Sequence, residues 1–141
     1  MYHIKIISPG KHREPWLQHA ICEYEKRLRT TMEISWIITH DREQFQAFCA
    51  KEPHLIALDV QGTVMSSEQF AFNIYKWLEQ QRSKLSFVIG GPEGIPQTLL
   101  AKIHTRISFS ALTFTHQIMR LLFLEQLYRA SEIHKGSSYH K

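Results

Sequence analysis

Glycines, histidines and two arginines are the residues whose types and spacing could do chemistry in this chain. Gly90-Gly91-Pro92-Glu93-Gly94 follows the apolar run Leu85–Ile89 and precedes a short helical stretch at 96–103. Backbone with little side chain can approach a ligand closely, so this run could cradle a nucleotide-like molecule. It reads equally well as a tight strand-to-helix turn, because Gly and Pro are the usual turn residues. No Gly-Lys-Ser/Thr follows it and no Gly-x-Gly-x-x-Gly occurs, so neither ATP hydrolysis nor ordinary dinucleotide binding is supported.

The chain has nine histidines, but none lies in an HxH or HExxH pattern or at ligand spacing from a cysteine, so the spacing indicates no metal site. His116 opens a long helix, and His140 sits beside Tyr139 at the chain end. A histidine titrates near neutrality and can take a proton from a moderately acidic N–H. On residue chemistry alone the plainer accounts come first: His116 bonds backbone at a helix start, and His140 belongs to a solvated tail. Arg120 and Arg129 interrupt an apolar helix. Their partners are either Glu125 or Glu132, or an RNA phosphate.

These groups need elements to hold them. Tyr2–Ser8 alternates like a strand and Pro9-Gly10 breaks it. Leu17, Ala20, Ile21, Tyr24 and Leu28 mark one face of a helix over 14–29, with Glu23–Arg27 and Glu25–Arg29 pairs on its wet side. Ile34–Thr39 reads as a second strand, and Asp41 as the N-cap of a short helix holding Phe45 and Phe48. Leu55–Val60 reads as a buried strand ended by Gly62. Ser66 and Gln69 form a capping box ahead of the helix with Phe70, Ile74, Trp77 and Leu78. Leu85–Ile89 and Ile107–Phe109 complete the strands. A helix over 116–133 carries apolar residues around most of its circumference, as expected of a core element or half of a dimer interface.

Alternating strands and helices with buried strands imply an α/β domain, a largely parallel sheet with helices on both faces. Its ligand crevice would lie beyond the carboxyl ends of the strands. At 141 residues the chain is expected to form a single domain, 1–141. Hydrophobic residues make up 43% and charged residues 21%, which excludes disorder. Cys22 and Cys49 fit no disulfide framework, and the first residues alternate rather than form a leader, so a reduced, cytoplasmic setting is expected. A net charge of +4 favours a polyanionic partner. Lys11, His12 and Arg13, after the first strand, could hold phosphates or form a solvated loop.

Taken in order, five segments resemble one family. They are Leu58-Asp59-Val60-Gln61-Gly62; Phe87-Val88-Ile89-Gly90-Gly91-Pro92-Glu93-Gly94; Ser108 to Phe114 with His116-Gln117-Ile118-Met119-Arg120; Glu125-Gln126-Leu127-Tyr128-Arg129-Ala130; and the closing Tyr139-His140-Lys141. The chain is similar, from end to end, to the RlmH (YbeA) family of the SPOUT superfamily, the 23S rRNA pseudouridine N3-methyltransferases.

The resemblance implies an α/β knot, whose C-terminal segment threads a loop to form a trefoil. It implies S-adenosylmethionine as methyl donor, held by Leu58, Gly90 and the run Phe109, Ser110, Ala111, Leu112, Thr113 and Phe114. The implied substrate is a pseudouridine in an intersubunit hairpin of 23S rRNA on the assembled 70S ribosome. The implied state is a homodimer, with neither membrane nor DNA as partner. Within that frame His140 is the candidate base, Tyr139 orients its ring or stacks on the nucleobase, and Arg129 stabilises the developing anion or a phosphate. The chain departs from the family at Thr115 and Ser138, where relatives often carry Pro. That predicts a looser start to the last helix and a more mobile tail. Two alternatives are a SPOUT enzyme acting on another rRNA or tRNA site, and a non-catalytic RNA- or nucleotide-binding module.

Overall fold

A computed structural model describes residues 1–140; Lys141, the last residue of the Tyr-His-Lys ending, lies outside the described residues. Strands and helices alternate as β1 (Tyr2–Pro9), α1 (Pro15–Leu28), β2 (Met32–Thr39), α2 (Arg42–Ala50), β3 (Leu55–Val64), α3 (Ser67–Gln80), β4 (Lys84–Ile89), α4 (Gln97–Leu100), β5 (Thr105–Ser108) and α5 (His116–Lys135). The five strands form one sheet in the order β2-β1-β4-β3-β5, and every pairing is parallel.

The period-2 alternation of each strand divides the core in two. Ile4 and Ile6 of β1, Phe87 and Ile89 of β4, and Ile56 and Leu58 of β3 face α1, α3 and α5. Ile7, Val88 and Ala57, at positions of the opposite parity, pack with Phe45 and Cys49 of α2 and with Leu100 of α4. The sheet therefore has helices on both faces, as the alternation of elements predicts.

Caps fix where the helices start. Asp41 accepts from the Gln44 N–H at 2.7 Å, and Ser66 from the Gln69 N–H at 3.1 Å. The expected capping box is only half made, because the Gln69 side chain donates to Asn73 instead. Thr115 caps α5 by accepting from the Ile118 N–H at 3.2 Å. The looser start predicted from the missing Pro is thereby corrected: the hydroxyl supplies an anchor that Pro lacks.

The structure moves other expectations as well. Glu23 and Arg27 pair at 3.3 Å, but Glu25 accepts from the Trp36 indole at 2.8 Å rather than from Arg29. Tertiary contact outcompetes an exposed i,i+4 pair, which is worth a few tenths of a kcal/mol. The helix expected over 96–103 is regular only at Gln97–Leu100, with Pro96 at its N-cap. Phe109 lies just past β5, outside the strand.

Gly62 does not end β3, which continues to Val64. The pairing with β5 jumps at this point: Leu58 and Thr63 both stand opposite Ile107. A side chain at 62 would put its Cβ 2.7 Å from the Arg106 carbonyl carbon, so Gly is required for the two backbones to lie this close.

Candidate active site

The carboxyl tips of β3, β4 and β5 surround a cavity of about 190 Å³. Leu58 closes it from β3, Ile89 from β4, Gly90 from the turn that follows, and Phe109, Ser110, Leu112, Thr113 and Phe114 from the loop after β5. Seven of the eight residues expected to hold the methyl donor thus meet in one place, though they come from three separate segments. Ala111 is exposed and does not line the cavity.

Local bonds shape the loop. Ser108 Oγ donates to the Ser110 carbonyl at 2.9 Å, and the Leu112 N–H donates to Ser110 Oγ at 3.0 Å. The glycine run folds back on itself, its Gly94 N–H donating to the Gly91 carbonyl at 2.9 Å. Gly94 has φ +76, a conformation that side chains disfavour. A Cβ at Gly90 would sit 2.6 Å from the Gly94 carbonyl carbon. The run is therefore a tight turn and a cavity wall at once, so the two readings of the sequence are compatible.

Sequence reasoning assigned no role to Asp59, Ile95, His116 or Met119 as walls, yet all four line the cavity. Asp59 lies 4.0 Å from Arg106. Asp59, His116 and Met119 fall within the quoted segments, whereas Ile95 directly follows one, so adjacency to the motifs was the only signal. Burial, then the nearby guanidinium groups of Arg120 and Arg13, holds His116 below the usual histidine range.

The second constellation is the tail. α5 ends at Gly136, in the left-handed conformation with φ 75, where the Ser137 N–H donates to the Glu132 carbonyl at 3.0 Å. The chain turns back there along α5. Tyr139 packs edge-on against Tyr128, with ring centroids 4.9 Å apart, and the Arg129 guanidinium lies 5.0 Å from the Tyr139 ring. Arg129 Nη1 contacts His140 Nδ1 at 2.9 Å, and His140 Nε2 contacts Glu68 Oε1 at 2.7 Å. Since a guanidinium only donates, Nδ1 is the acceptor and Nε2–H donates to the carboxylate. The contact with His140 draws the Glu68 carboxyl below its usual range.

Arg129 also donates twice to Glu125 Oε1, at 2.8 and 3.2 Å, which raises its already high pKa. The carboxylate partner is the one expected of a structural arginine. Tyr139 Oη reaches the same oxygen at 3.3 Å. His140, Tyr139 and Arg129 are thus brought together, but they form a cluster on α5 and the first turn of α3. None of the three lines the donor cavity.

Arg120 behaves differently from either account given for it. It is 0% exposed and pairs with no carboxylate among the described residues. Its Nη2 donates to Ser8 Oγ at 2.9 Å and to the Pro9 carbonyl at 2.7 Å, and its Nη1 contacts His12 Nδ1 at 3.2 Å. Burial, with the charge of Arg13, pulls its pKa down to about 10. His12 is turned inward against Arg120 and the Trp36 ring, 4.7 Å away, so it is a packing residue rather than a phosphate ligand.

The family described as "Predicted SPOUT methyltransferase" matches residues 2–140. The chain is 46% identical over 142 residues to "Ribosomal RNA large subunit methyltransferase H" of Protochlamydia amoebophila, covering 100% of both chains. It is 38% identical to the protein of the same name from Coprothermobacter proteolyticus, covering 98% of this chain and 99% of that one. Among solved structures, a probable methylase family protein from Haemophilus influenzae matches with a TM-score of 0.57 at 14% identity, over 99% of this chain and 70% of that chain. A probable methyltransferase from Bordetella pertussis matches with a TM-score of 0.57 at 11% identity, over 91% and 95%. At such identities the structures establish the fold alone. The relatives carry the resemblance further: with a parallel sheet of this order and a full-length match, the chain belongs to the SPOUT methyltransferases, in the family of the ribosomal RNA large subunit methyltransferases H.

Proposed function

We propose that this chain is an S-adenosylmethionine-dependent enzyme that methylates N3 of a pseudouridine in 23S rRNA. It acts in the cytoplasm as a homodimer on the assembled 70S ribosome, with its C-terminal segment threaded as a trefoil. The observation that carries the reading is the convergence of Leu58, Gly90 and the 109–114 loop on one cavity at the strand tips, in a chain alike end to end to enzymes named for rRNA methylation.

The lining of the cavity suits the adenine end of the donor. Its walls from Leu58, Ile89, Ile107, Phe109 and Met119 suit an adenine ring, and Gly90 and Gly91 expose backbone that can bond ring nitrogens. Bound there, S-adenosylmethionine supplies an electrophilic methyl group on a sulfonium. The remaining work is positioning the acceptor and removing its proton.

N3 of pseudouridine is an imide nitrogen that must lose a proton to react. His140 Nδ1 is the acceptor atom, because its lone pair already meets the Arg129 N–H while Nε2–H is engaged by Glu68. Arg129 must turn from Nδ1 toward the substrate for that lone pair to serve as base. There its charge stabilises the anion left on the nucleobase. Tyr139, stacked beside Arg129, offers a ring to the nucleobase. Because the cluster lies off the donor cavity, catalysis requires the tail, or the tail of a second protomer, to be brought to a cavity mouth. Incubation with methyl-labelled S-adenosylmethionine and 70S particles, separated subunits or tRNA tests the reading. N3-methylpseudouridine is expected in 23S rRNA from 70S particles. Methylation of tRNA alone, or no donor binding by calorimetry, would overturn it.

A further inference from the structure

Beside the donor cavity lies a second, larger cleft of about 720 Å³. It is built at the tips of β1, β2 and β4 and shares Gly91, Gly94 and His116 with the donor cavity. Lys11, Arg13 and Arg42 line it, all exposed, and among the described residues none of them pairs with a carboxylate. Of the two acidic residues there, Asp41 is committed to capping α2. Thr39 also lines the cleft; it is 1% exposed, and its Oγ1 has no hydrogen-bond partner. A buried hydroxyl without a protein partner is rare and leaves one hydrogen bond for whatever enters the cleft.

The basic turn at one wall is held rigidly. Gln117 Nε2 donates to the Lys11 carbonyl at 3.0 Å, and the Arg13 N–H donates to Gln117 Oε1 at 3.2 Å. Beneath it the guanidinium of Arg120 grips Ser8, Pro9 and His12. A buried cation with no counter-charge, below a wall of free cations, makes this end of the sheet electropositive. Fixed cations in such a place favour a polyanion whose phosphates follow the groove.

We propose that this cleft seats the phosphate backbone of the large-subunit rRNA strand that carries the target nucleotide, with Lys11, Arg13 and Arg42 as the phosphate contacts. The proposal rests on the rRNA methyltransferase reading, because the shared rim at Gly91, Gly94 and His116 is what would bring the strand to the methyl donor. Arg120 and Gln117 are positioning residues, since they act through the turn rather than on RNA.

The test compares the wild-type chain with Lys11→Gln, Arg13→Gln and Arg42→Gln, singly and together. Lys26→Gln on α1 and Lys76→Gln on α3, on the other face of the sheet, serve as controls. Binding to 23S rRNA and to 70S ribosomes is measured across a salt series, with S-adenosylmethionine binding measured separately. Each cleft variant is expected to lower the slope of log affinity against log salt by about one. The triple variant should raise KM for ribosomes at least tenfold, with kcat within about twofold and donor binding unchanged. Arg13→Lys and Arg42→Lys should retain most affinity, which separates charge from folding. A triple variant with wild-type slope and KM overturns the cleft, as do controls that weaken binding equally. If the chain binds rRNA but transfers no methyl group, the methyltransferase reading fails and the slopes alone judge the cleft. If it binds neither rRNA nor ribosomes, both fail.

Discussion

A histidine serves as a base only while one ring nitrogen has a free lone pair. In the tail cluster, Arg129 occupies Nδ1 of His140 and Glu68 holds Nε2–H. Once Arg129 turns away, Nδ1 can accept the proton, so His140→Ala should lower the methylation rate by about 10²-fold or more while leaving donor affinity unchanged. A loss under tenfold in single-turnover assays removes His140 from the role. The two thiols differ for a reason visible at the same scale. Cys22 is exposed, whereas Cys49 is buried and its pKa is pushed up to about 12, first by burial and then by Glu52. A disulfide-exchange reagent at pH 8 should titrate one thiol of the native chain quickly and both after denaturation. Burial also lifts Tyr75 to about 12. Both groups have folded-state values above their unfolded ones, so their contribution is complete below pH 9 and lost as pH rises toward 12. Chemical denaturation midpoints should fall over that window.

Elements explain why the site residues stand where they do. Arg120 sits on α5 but ties down the end of β1, so its effect crosses from one element to another. Arg120→Ala would strand Ser8 Oγ and the Pro9 carbonyl in the core and should cost about 3 kcal/mol, read as a fall in unfolding free energy. Gly136 reverses the chain at the end of α5 and thereby lays Tyr139 and His140 back along the helix. Gly136→Ala should cost about 1 kcal/mol through the left-handed backbone alone, with a larger loss of activity than of stability.

At the scale of the whole molecule, the last helix leaves apolar surface uncovered. Ile118 on α5 is 37% exposed, and Leu112 in the loop before it is 71% exposed. This surface suits the contact of the proposed homodimer, and Ile118 tests it. Ile118→Glu should shift sedimentation from dimer to monomer and abolish methylation without unfolding the chain. A variant that remains dimeric and active assigns the contact elsewhere. No described helix is long and apolar enough to cross a membrane.

Local periodicity and capping chemistry sufficed for most of the architecture. The alternation at Tyr2–Ser8, the Leu17/Ile21/Leu28 stripe and the Asp41 cap each express short-range sterics or a nearest-turn hydrogen bond, and each stands in the structure as predicted. The family resemblance also marks Leu58, Gly90 and the 109–114 loop, which the fold brings to one cavity. Long-range choices were not legible. Glu25 could bond Arg29 or Trp36, and only the packing of β2 beside α1 selected the indole. Gly62 looked like a strand end, yet it lets β3 pass against the backbone of β5. Arg120 had Glu125 and Glu132 further along its own helix, yet its Nη2 bonded Ser8 and Pro9, more than a hundred positions away, because α5 packs against the end of β1. The amino-acid sequence alone thus determined which segments fold as strands and helices, since those preferences act over a few residues. Tertiary structure decided which side chains share a cavity, because that depends on strand order and on contacts between residues far apart in the chain.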